Sequence, residues 1–345
     1  MVNDLRLKNF LRFASGILIA IVFLYFAFKG IDFSEFIKVF LKVNYFYIVL
    51  MFFVLLLSNF FRALRWKYLL KPVKSETSFI HFFEATMIGY LANNIFPRAG
   101  EILKAYTLSN DEKISSASSL ASVFLERMLD VLFSLFFFAL AMLWNRKIFE
   151  RHYPWLGEVA LTSAIIVALI LLIILALLIW RDKFVSLLSS IIKIFNRKLA
   201  ERFEKFFHSF ILGFEAIRHR GVHLQIIILS FSIYICYIFA GYFPLFAFEI
   251  EREKVGFFTA LVIFVVSTVG FIVPTPGGVG SYHSFITGAL VGLYGIKHEV
   301  ALGYAVLTHG VGYLTNGLIG VYFALRKHIK LTREIEEKLS LTDDK

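Results

Sequence analysis

The chain has 345 residues, of which 59% are apolar and only 18% are charged, whereas a soluble domain is usually about 45–50% apolar. This composition excludes an ordinary soluble enzyme and indicates an integral membrane protein. The formal net charge of +11 does not indicate nucleic-acid binding, because Lys and Arg beside membrane spans face the cytoplasm and anionic lipid. The single cysteine excludes an intrachain disulfide and a cysteine-based metal site.

Long apolar runs predict the membrane spans in chain order. A span needs about 20 apolar residues, and the runs that approach this length are 11–28, 43–61, 120–144, 157–180, 224–248 and 300–325. Basic residues precede the first run, as in a signal peptide, but no small-residue cleavage pattern follows it. We therefore expect this run to be retained as the first span.

Three shorter apolar segments lie beside turns that are rich in Pro and Gly. Residues 79–96 precede the turn 97–100, and residues 255–273 and 281–296 flank the turn 274–280. Proline removes a backbone donor and glycine weakens a helix, so both turns should interrupt the helices. The segments are therefore predicted to form two hairpins rather than simple crossings.

The charges of the loops predict the side on which each segment ends. The N-terminus and residues 62–74 are basic, and residues 181–222 hold nine Lys or Arg against four Asp or Glu, so all three should be cytoplasmic. Residues 79–96 must then return to the side that they entered, whereas the hairpin 255–296 enters from outside. The alternative is that the two halves of this second hairpin are full spans, which loop charges do not distinguish.

The predicted fold is an all-α polytopic membrane protein. We expect about six full transmembrane helices, two re-entrant hairpins that enter from opposite sides, and both termini in the cytoplasm. A single membrane domain, residues 1–330, precedes a charged cytoplasmic tail, residues 331–345. Within the domain, residues 183–217 place apolar side chains at three- and four-residue steps, which predicts amphipathic helices on the inner leaflet. Inverted pairs of broken helices are typical of transporters.

The densest charge cluster is Glu126-Arg127-Met128-Leu129-Asp130. Only 14 largely apolar residues, 131–144, follow it. They form about 21 Å of helix at 1.5 Å per residue, whereas the hydrocarbon core is about 30 Å thick. The helix should therefore draw the cluster into the membrane, where ionisable groups usually face a cavity or a partner. The cluster would bind a charged headgroup or relay protons; the alternative is that it neutralises itself and locks the helix against a neighbour.

Polar residues around the first turn are candidates for phosphate binding. Arg98 and Lys104 lie at the start of a half-helix, whose free backbone N–H groups favour an anion, and Glu101 lies between them. The alternative for Arg98 is that its side chain extends to the membrane interface. Three residues at the end of the second span are predicted to be interfacial anchors: Arg62, Arg65 and Trp66.

The second turn offers the backbone N–H groups of Gly277, Gly278 and Gly280, which would form an anion nest. It lacks the GxxxxGK[ST] pattern of a nucleotide-binding loop. His283 follows, and a histidine either titrates near neutrality or serves in packing. The groups predicted to relay charge or to bind a cationic headgroup are Glu101, Glu126, Asp130 and His283.

The motifs in chain order are Arg62-x-x-Arg65-Trp66, Asn94-x-x-Pro97-x-x-Gly100-Glu101-x-x-Lys104, Glu126-Arg127-x-x-Asp130 and Pro274-Thr275-Pro276-Gly277-Gly278-x-Gly280. Together they resemble the membrane (flippase) domain family of the bifunctional lysylphosphatidylglycerol synthase/flippases and its stand-alone relatives. The resemblance implies re-entrant segments and translocation of lipids between leaflets, of aminoacylated phosphatidylglycerol in the best-known members. The chain departs from the family at Lys104, where Arg is common, and at His283, where Glu is common.

The resemblance implies a phospholipid flippase or scramblase, which we expect in the plasma membrane. The sequence shows no ATP site and no catalytic motif, so we expect transport without ATP and expect no cofactor, metal or catalytic residue. Arg98, Lys104 and Arg127 would hold the headgroup phosphate. The alternatives are transport of a polyprenyl-linked or other anionic envelope lipid, an intramembrane transferase with Glu126 or Asp130 as base, and a regulatory membrane protein. Expected partners are membrane phospholipids, a second copy of the chain and, because only a short tail follows the last span, a separate lipid-modifying enzyme.

Overall fold

The computed structural model of the protein describes residues 2–96, 98–144, 220–250 and 256–343, together with isolated positions between 158 and 204. This part of the chain is helical and has no β-strand. Apart from the isolated positions, several predicted segments lie outside the described residues: the outer loop 145–155, the span 157–180 and the amphipathic helices of 183–217. Pro97 of the first turn also lies outside them.

The helices of the described part are numbered here in chain order. They are α1 (Val2–Phe28), α2 (Phe33–Leu41), α3 (Tyr45–Leu70), α4 (Phe79–Ile95), α5 (Ala99–Glu112), α6 (Ser116–Trp144), α7 (His223–Ala247), α8 (Phe257–Ile272), α9 (Ser281–Tyr294) and α10 (His298–Asp343). Short 3-10 turns at Arg220–Val222 and Pro276–Gly278 precede α7 and α9. The two predicted hairpins correspond to α4 with α5 and to α8 with α9.

Among the described helices, α3 and α7 are long and apolar enough to cross a membrane. The pair α1 and α2, which bend by 87° relative to each other, is a third candidate for one broken span. The predicted spans 43–61 and 224–248 are therefore confirmed as helices of spanning length. The predicted spans 11–28, 120–144 and 300–325 lie within α1, α6 and α10, and their crossing of the bilayer stays a prediction.

Helix α3 continues to Leu70, beyond the predicted end of its span at residue 61. The sequence analysis placed residues 62–74 in a cytoplasmic loop, and this is wrong for the part that forms the last turns of α3. Arg62 and Arg65 lie within these turns and are buried. They therefore give no support to the cytoplasmic assignment, which stays a prediction.

The first hairpin is held together by a close crossing of α4 and α5. A Cβ on Gly100 would overlap the carbonyl oxygen of Gly89, and a Cβ on Gly89 would lie 3.0 Å from the Cβ of Lys104. The Gly100 N–H donates to Asn93 Oδ1 at 2.8 Å. Arg98 turns the chain with a left-handed φ of 66°. The two glycines therefore fix the position of Lys104 against α4.

The carboxylate of Glu112 fastens the far end of α5 to the segment before α4. It accepts hydrogen bonds from Lys74 Nζ at 3.0 Å and from the Ser78 N–H at 2.9 Å, and it lies 2.7 Å from His81 Nδ1. Burial raises the pKa of Glu112, but these hydrogen bonds outweigh burial and lower the pKa below its ordinary value. Hydrogen bonds therefore hold the first hairpin both at its turn, through Asn93, and at the far end of α5, through Glu112.

The turn of the second hairpin requires glycine. Gly277, Gly278 and Gly280 have φ values of 58°, 78° and 82°, in the left-handed region that other residues rarely adopt. Beyond the turn, a Cβ on Gly270 of α8 would lie 3.1 Å from Tyr282 Cα of α9, so the two halves of this hairpin also pack closely. The turn therefore has a defined backbone conformation that depends on glycine and on close packing of α8 against α9.

The turns of the two hairpins meet beside α10. A Cβ on Gly277 would lie 2.6 Å from the ring of Tyr313 and 3.5 Å from the carbonyl oxygen of Asn94. The Tyr313 hydroxyl donates to this same Asn94 oxygen at 3.3 Å. On the other side, a Cβ on Gly16 of α1 would lie 3.2 Å from the carbonyl oxygen of Pro274. Both breaker turns therefore converge inside the helix assembly.

Apolar packing surrounds this convergence. One cluster joins α7, α8, α9 and α10, and the other joins α3, α4, α5 and α6. Their buried members include Ile233, Leu261, Ile286 and Tyr304 in the first cluster and Trp66, Phe82 and Leu108 in the second. Large apolar side chains are also exposed on the outer faces, for example Leu18, Phe46, Leu224 and Leu318. Such extensive exposed apolar surface marks contact with lipid.

We expect Gly100→Ala to destabilise the first hairpin. The added methyl group would overlap the Gly89 carbonyl oxygen, and overpacking of this kind costs about 1–3 kcal/mol. The measurement is thermal unfolding in detergent followed by intrinsic fluorescence. Gly288→Ala is the control, because Gly288 is an exposed helical glycine with open space around it. A Gly100→Ala protein that unfolds no earlier than the Gly288→Ala protein would contradict the close crossing.

Candidate functional site

A buried cluster of charged side chains lies between α3, α5 and α6. We call it the charge network, and its members are Arg62, Arg65, Lys104, Glu126, Arg127 and Asp130. Helix α3 contributes two arginines, α5 contributes the lysine, and α6 contributes both carboxylates and the third arginine. Ionisable groups placed this far from water need partners, because each isolated charge would cost several kcal/mol.

Glu126 is the fully buried centre of the charge network. Its Oε2 accepts from Lys104 Nζ at 2.6 Å, and its Oε1 accepts from Arg62 Nη1 and from Arg127 Nη2, each at 3.0 Å. One carboxylate thus joins three cations from three different helices. Charge-assisted hydrogen bonds of this length are among the strongest in proteins.

Asp130 lies one helical turn after Glu126 and completes the pairing. Its Oδ1 accepts from Arg65 Nη2 and its Oδ2 from Arg62 Nη1, each at 2.6 Å. Arg127 Nη2 lies 3.2 Å from the same Oδ2. The spacing of four residues places both carboxylates on one face of α6, where they meet the two arginines of α3.

Two side chains of α7 support the arginines, and the Trp66 ring of α3 supports the lysine. The Tyr237 hydroxyl accepts from Arg62 Nε at 3.2 Å, and Ser230 Oγ accepts from Arg65 Nη1 at 3.1 Å. Lys104 Nζ lies 4.2 Å from the centroid of the Trp66 ring, a cation–π contact. The cations are therefore held in fixed positions by α7 and α3 as well as by the carboxylates.

The prediction that Arg62, Arg65 and Trp66 are interfacial anchors is wrong. The side chains of Arg65 and Trp66 are 0% exposed, and Trp66 Nε1 donates to Ser122 Oγ at 2.9 Å. The physical reason is that α6 presents two buried carboxylates, which compensate the burial of the guanidinium groups. The alternative for the α6 cluster is supported in one part, because its ion pairs lock α6 against α3 and α5, and is wrong in the other, because most of the neutralising partners come from those helices rather than from the cluster itself.

The charge network carries more positive than negative charge. Its ion pairs join four cations to two carboxylates, which leaves two positive charges. Buried Nε atoms of Arg65 and Arg127 have no hydrogen-bond partner in the described part of the chain. The Arg127 side chain is 39% exposed, far more than the other members. The network is therefore open at Arg127 to an anion with several acceptor oxygens.

Glu101 lies one helical turn before Lys104 on α5. Its Oε2 is buried without a hydrogen-bond partner among the described residues. A buried carboxylate oxygen in this state has the capacity to accept from an ammonium group. The described part of the chain thus combines an excess of cations in the charge network with one nearby carboxylate oxygen, Glu101 Oε2, that has no partner among the described residues.

Arg98 does not join Lys104 and Arg127 as predicted. It is exposed at the start of α5, and in the described part of the chain it makes none of the ion pairs of the charge network. Lys104 and Arg127, in contrast, meet on Glu126. The predicted trio of phosphate ligands therefore reduces to these two residues.

The anion nest predicted at the second turn is wrong for two of its three amides. The Gly278 N–H donates to the Thr275 carbonyl oxygen at 3.2 Å, and the Gly280 N–H donates to His283 Nδ1 at 3.2 Å. These groups already have partners within the turn. The Gly277 carbonyl oxygen instead accepts from His309 Nε2 at 2.9 Å.

His283 belongs to a polar group of its own, separate from the carboxylates with which it was grouped. It is buried, and because Nδ1 accepts from Gly280, its proton lies on Nε2. The ring of His309 lies 4.7 Å from its ring, centroid to centroid. In the sequence His309 is a weaker functional candidate than His283, and Asn59 and Asn316 were not predicted at all, although polar residues inside apolar runs are a signal for functional groups.

We expect Asp130→Asn to destabilise the protein strongly. The change removes the anionic partner of Arg62 and Arg65 without changing side-chain size, and breaking a buried ion pair costs about 3–5 kcal/mol. Thermal unfolding in detergent should therefore occur at a clearly lower temperature. The matched control is Glu35→Gln, which removes an exposed ion pair with Lys38 and should leave unfolding unchanged. Equal unfolding temperatures for both variants would show that the charge network does not hold the helices together.

Sequence comparisons with known proteins indicate the family of the chain. The family described as lysylphosphatidylglycerol synthase TM region matches residues 13–320. A UPF0104 membrane protein of Pyrococcus horikoshii is 26% identical over 93% of this chain and 97% of its own length. One of Methanothermobacter thermautotrophicus is 25% identical over 75% of this chain and 79% of its own length. One of Methanocaldococcus jannaschii is 34% identical over 36% of this chain and 38% of its own length.

No solved structure matches the chain. The family match covers every helix from the body of α1 to the middle of α10, and with them the charge network and both breaker turns. The UPF0104 relatives are named as membrane proteins, in agreement with the spanning length of α3 and α7. The chain is therefore a membrane protein that belongs to the family of the lysylphosphatidylglycerol synthase TM region.

Proposed function

We propose that this protein is a multi-pass lipid transporter of the plasma membrane, which moves a phospholipid between leaflets without ATP. The observation that carries the proposal is the charge network, a buried site in which four cations meet two carboxylates among the described residues. Within a bilayer, the phosphate of a lipid headgroup is the abundant anion that such a site would attract. The sequence has no nucleotide-binding loop, so transport would run down a gradient or be coupled to an ion.

The residues of the charge network would have different roles in binding the phosphate. Arg127 is the exposed member, and its guanidinium offers a planar set of donors that suits a phosphate. Arg62 and Arg65 are buried and act on the carboxylates, so they are positioning residues. Glu126 keeps Lys104 and Arg127 side by side. The phosphate would thus bind to Arg127, with Lys104 adding positive charge behind it.

Glu101 bears on the identity of the lipid. Its buried, unpartnered oxygen would accept from an amine on the same headgroup, and an aminoacylated phosphatidylglycerol carries both a phosphate and amines. A polyprenyl-linked or other anionic envelope lipid without an amine would satisfy the cations but leave Glu101 unpaired. We therefore favour a phospholipid with an amine-bearing headgroup as cargo. A regulatory role without transport would use neither the cations nor Glu101.

The two hairpins provide a means of movement. Broken helices whose ends meet inside a membrane protein are typical of transporters, in which small motions of the two halves expose one site alternately. The turns of α4–α5 and α8–α9 meet at Asn94, Gly277 and Tyr313. Motion of one hairpin against the other would expose the headgroup to each side in turn, while the acyl chains stay in the bilayer.

We expect Arg127→Gln to slow lipid exchange at least about tenfold, because it removes a charge-assisted contact to the phosphate. The assay uses liposomes that contain the protein and acyl-labelled fluorescent phosphatidylglycerol, with dithionite quenching of the outer leaflet. Lys42→Gln, a change at an exposed lysine after α2, is the control and should exchange lipid at the wild-type rate. The proposal fails if the wild-type protein exchanges no lipid, or if Arg127→Gln matches it.

We expect Glu101→Gln to change lipid preference rather than overall exchange. The variant should lower the exchange rate of phosphatidylethanolamine, which has an amine, several-fold relative to phosphatidylglycerol, which has none. Both lipids are labelled on an acyl chain so that the headgroup is intact. Glu35→Gln, at an exposed position on α2, is the control. If the ratio of the two exchange rates is the same in Glu101→Gln as in the wild type, the proposal that the headgroup carries an amine is wrong.

A further inference from the structure

A series of uncharged polar groups begins one helical turn from the charge network. Asn59 precedes Arg62 by one turn on α3 and is only 4% exposed. Its Nδ2 donates to Asn316 Oδ1 of α10 at 2.9 Å. Both asparagines lie within runs that are otherwise apolar. This pair of amide side chains therefore extends the polar groups beside the charge network from α3 to α10.

The series continues from Asn316 to the first breaker turn. Tyr313 lies one turn earlier on the same face of α10, and Asn94 lies opposite it at the end of α4. Asn94 Nδ2 donates to the Tyr313 carbonyl oxygen at 3.1 Å, and the Tyr313 hydroxyl donates to the Asn94 carbonyl oxygen at 3.3 Å. A Cβ on Gly317 would lie 3.5 Å from Asn94 Nδ2, so this amide lies directly on α10.

The series ends at the second breaker turn. His309 lies one turn before Tyr313 on α10, with 5.8 Å between the two ring centroids. Its Nε2 donates to the Gly277 carbonyl oxygen, and its ring contacts that of His283. From Asn316 to His309 the face of α10 is about 10 Å long at 1.5 Å per residue.

One side of this series is open. Tyr313 is 36% exposed, and Asn94 and Asn316 are half-buried. Added Cβ atoms on Gly310 and Gly312 of α10 would meet no other group within 4 Å. Exposed Leu314 and Leu318 lie on the same helix. Asn94, Tyr313 and Asn316 are therefore partly accessible along α10, beside exposed apolar side chains of the same helix, whereas Asn59 and His283 lie buried at the two ends of the series.

We propose, on the basis of the lipid transport proposed above, that this polar lane is the path of the headgroup between the charge network and the second breaker turn. The lane consists of Asn59, Asn94, Tyr313, Asn316, His309 and His283. Its amide, phenol and imidazole groups replace part of the water that a headgroup loses on leaving the interface. The acyl chains follow along the open apolar side. The lane is a positioning path for the headgroup and takes part in no bond-breaking step.

The test measures exchange and binding separately. Asn316→Leu and Asn94→Leu should each slow exchange of fluorescent phosphatidylglycerol in liposomes by about tenfold or more. Binding of phosphatidylglycerol to the detergent-solubilised protein, measured by native mass spectrometry, should stay within about twofold of wild type, because the charge network is unchanged. Asn110→Leu is the matched control, since Asn110 is exposed on α5 outside the lane, and it should exchange lipid at the wild-type rate.

A second variant keeps the test independent of folding defects. Asn316→Asp preserves size and shape but adds a negative charge to the lane. It should slow anionic phosphatidylglycerol more than zwitterionic phosphatidylcholine, a difference that a purely structural role would not produce. The proposal that the polar lane is the headgroup path is wrong if the Leu variants exchange lipid at the wild-type rate. It is also wrong if Asn316→Asp slows both lipids equally. The transport proposal would survive that result, and it fails separately if the wild-type protein exchanges no lipid.

Discussion

The pairing of Arg62 and Arg65 with Asp130 is the interaction on which the rest of the site depends. These guanidinium groups are buried, and without the α6 carboxylates their desolvation would be prohibitive. The pairing therefore fixes the rotation of α3 against α6. It also consumes the negative charge of Asp130, so that the remaining cations, Lys104 and Arg127, keep an excess of positive charge. One interaction thus serves both assembly and ligand attraction.

The breaker turn of the first hairpin also helps to assemble the charge network, because it positions Lys104 of α5. Because Gly89 and Gly100 lack side chains, α5 lies against α4 closely enough for Lys104 to reach Glu126 at 2.6 Å. A longer connection or bulkier residues would move the lysine out of the network. The Pro/Gly-rich turn, which prevents α4 and α5 from forming one continuous helix, therefore allows Lys104 to reach Glu126 of α6.

The sequence was sufficient for the local features and insufficient for the distant pairings. The spacing of Glu126 and Asp130 predicted that both carboxylates share one face of α6, and both meet the arginines of α3, whereas their depth in the bilayer stays a prediction. Both breaker turns interrupt the helices where proline and glycine indicated. Arg62 and Arg65 were assigned to the interface because a basic pair near the end of an apolar run usually lies there. Their countercharges lie more than 60 residues away, which no local pattern reveals. The glycine nest failed for a different, local reason, because hydrogen bonds within the turn already use the amides of Gly278 and Gly280.

A strongly charged site alone would make a poor transporter. Four cations around two carboxylates would attract a phosphate, but a ligand that binds only there would be retained. Passage requires sites that are favourable enough to enter and weak enough to leave. The neutral groups of Asn316, Asn94 and Tyr313 satisfy this second condition, because each offers a hydrogen bond without a net charge. In the proposed transport, selection at the charge network of α3, α5 and α6 and movement along a lane formed mainly by α4 and α10 would therefore be separate properties.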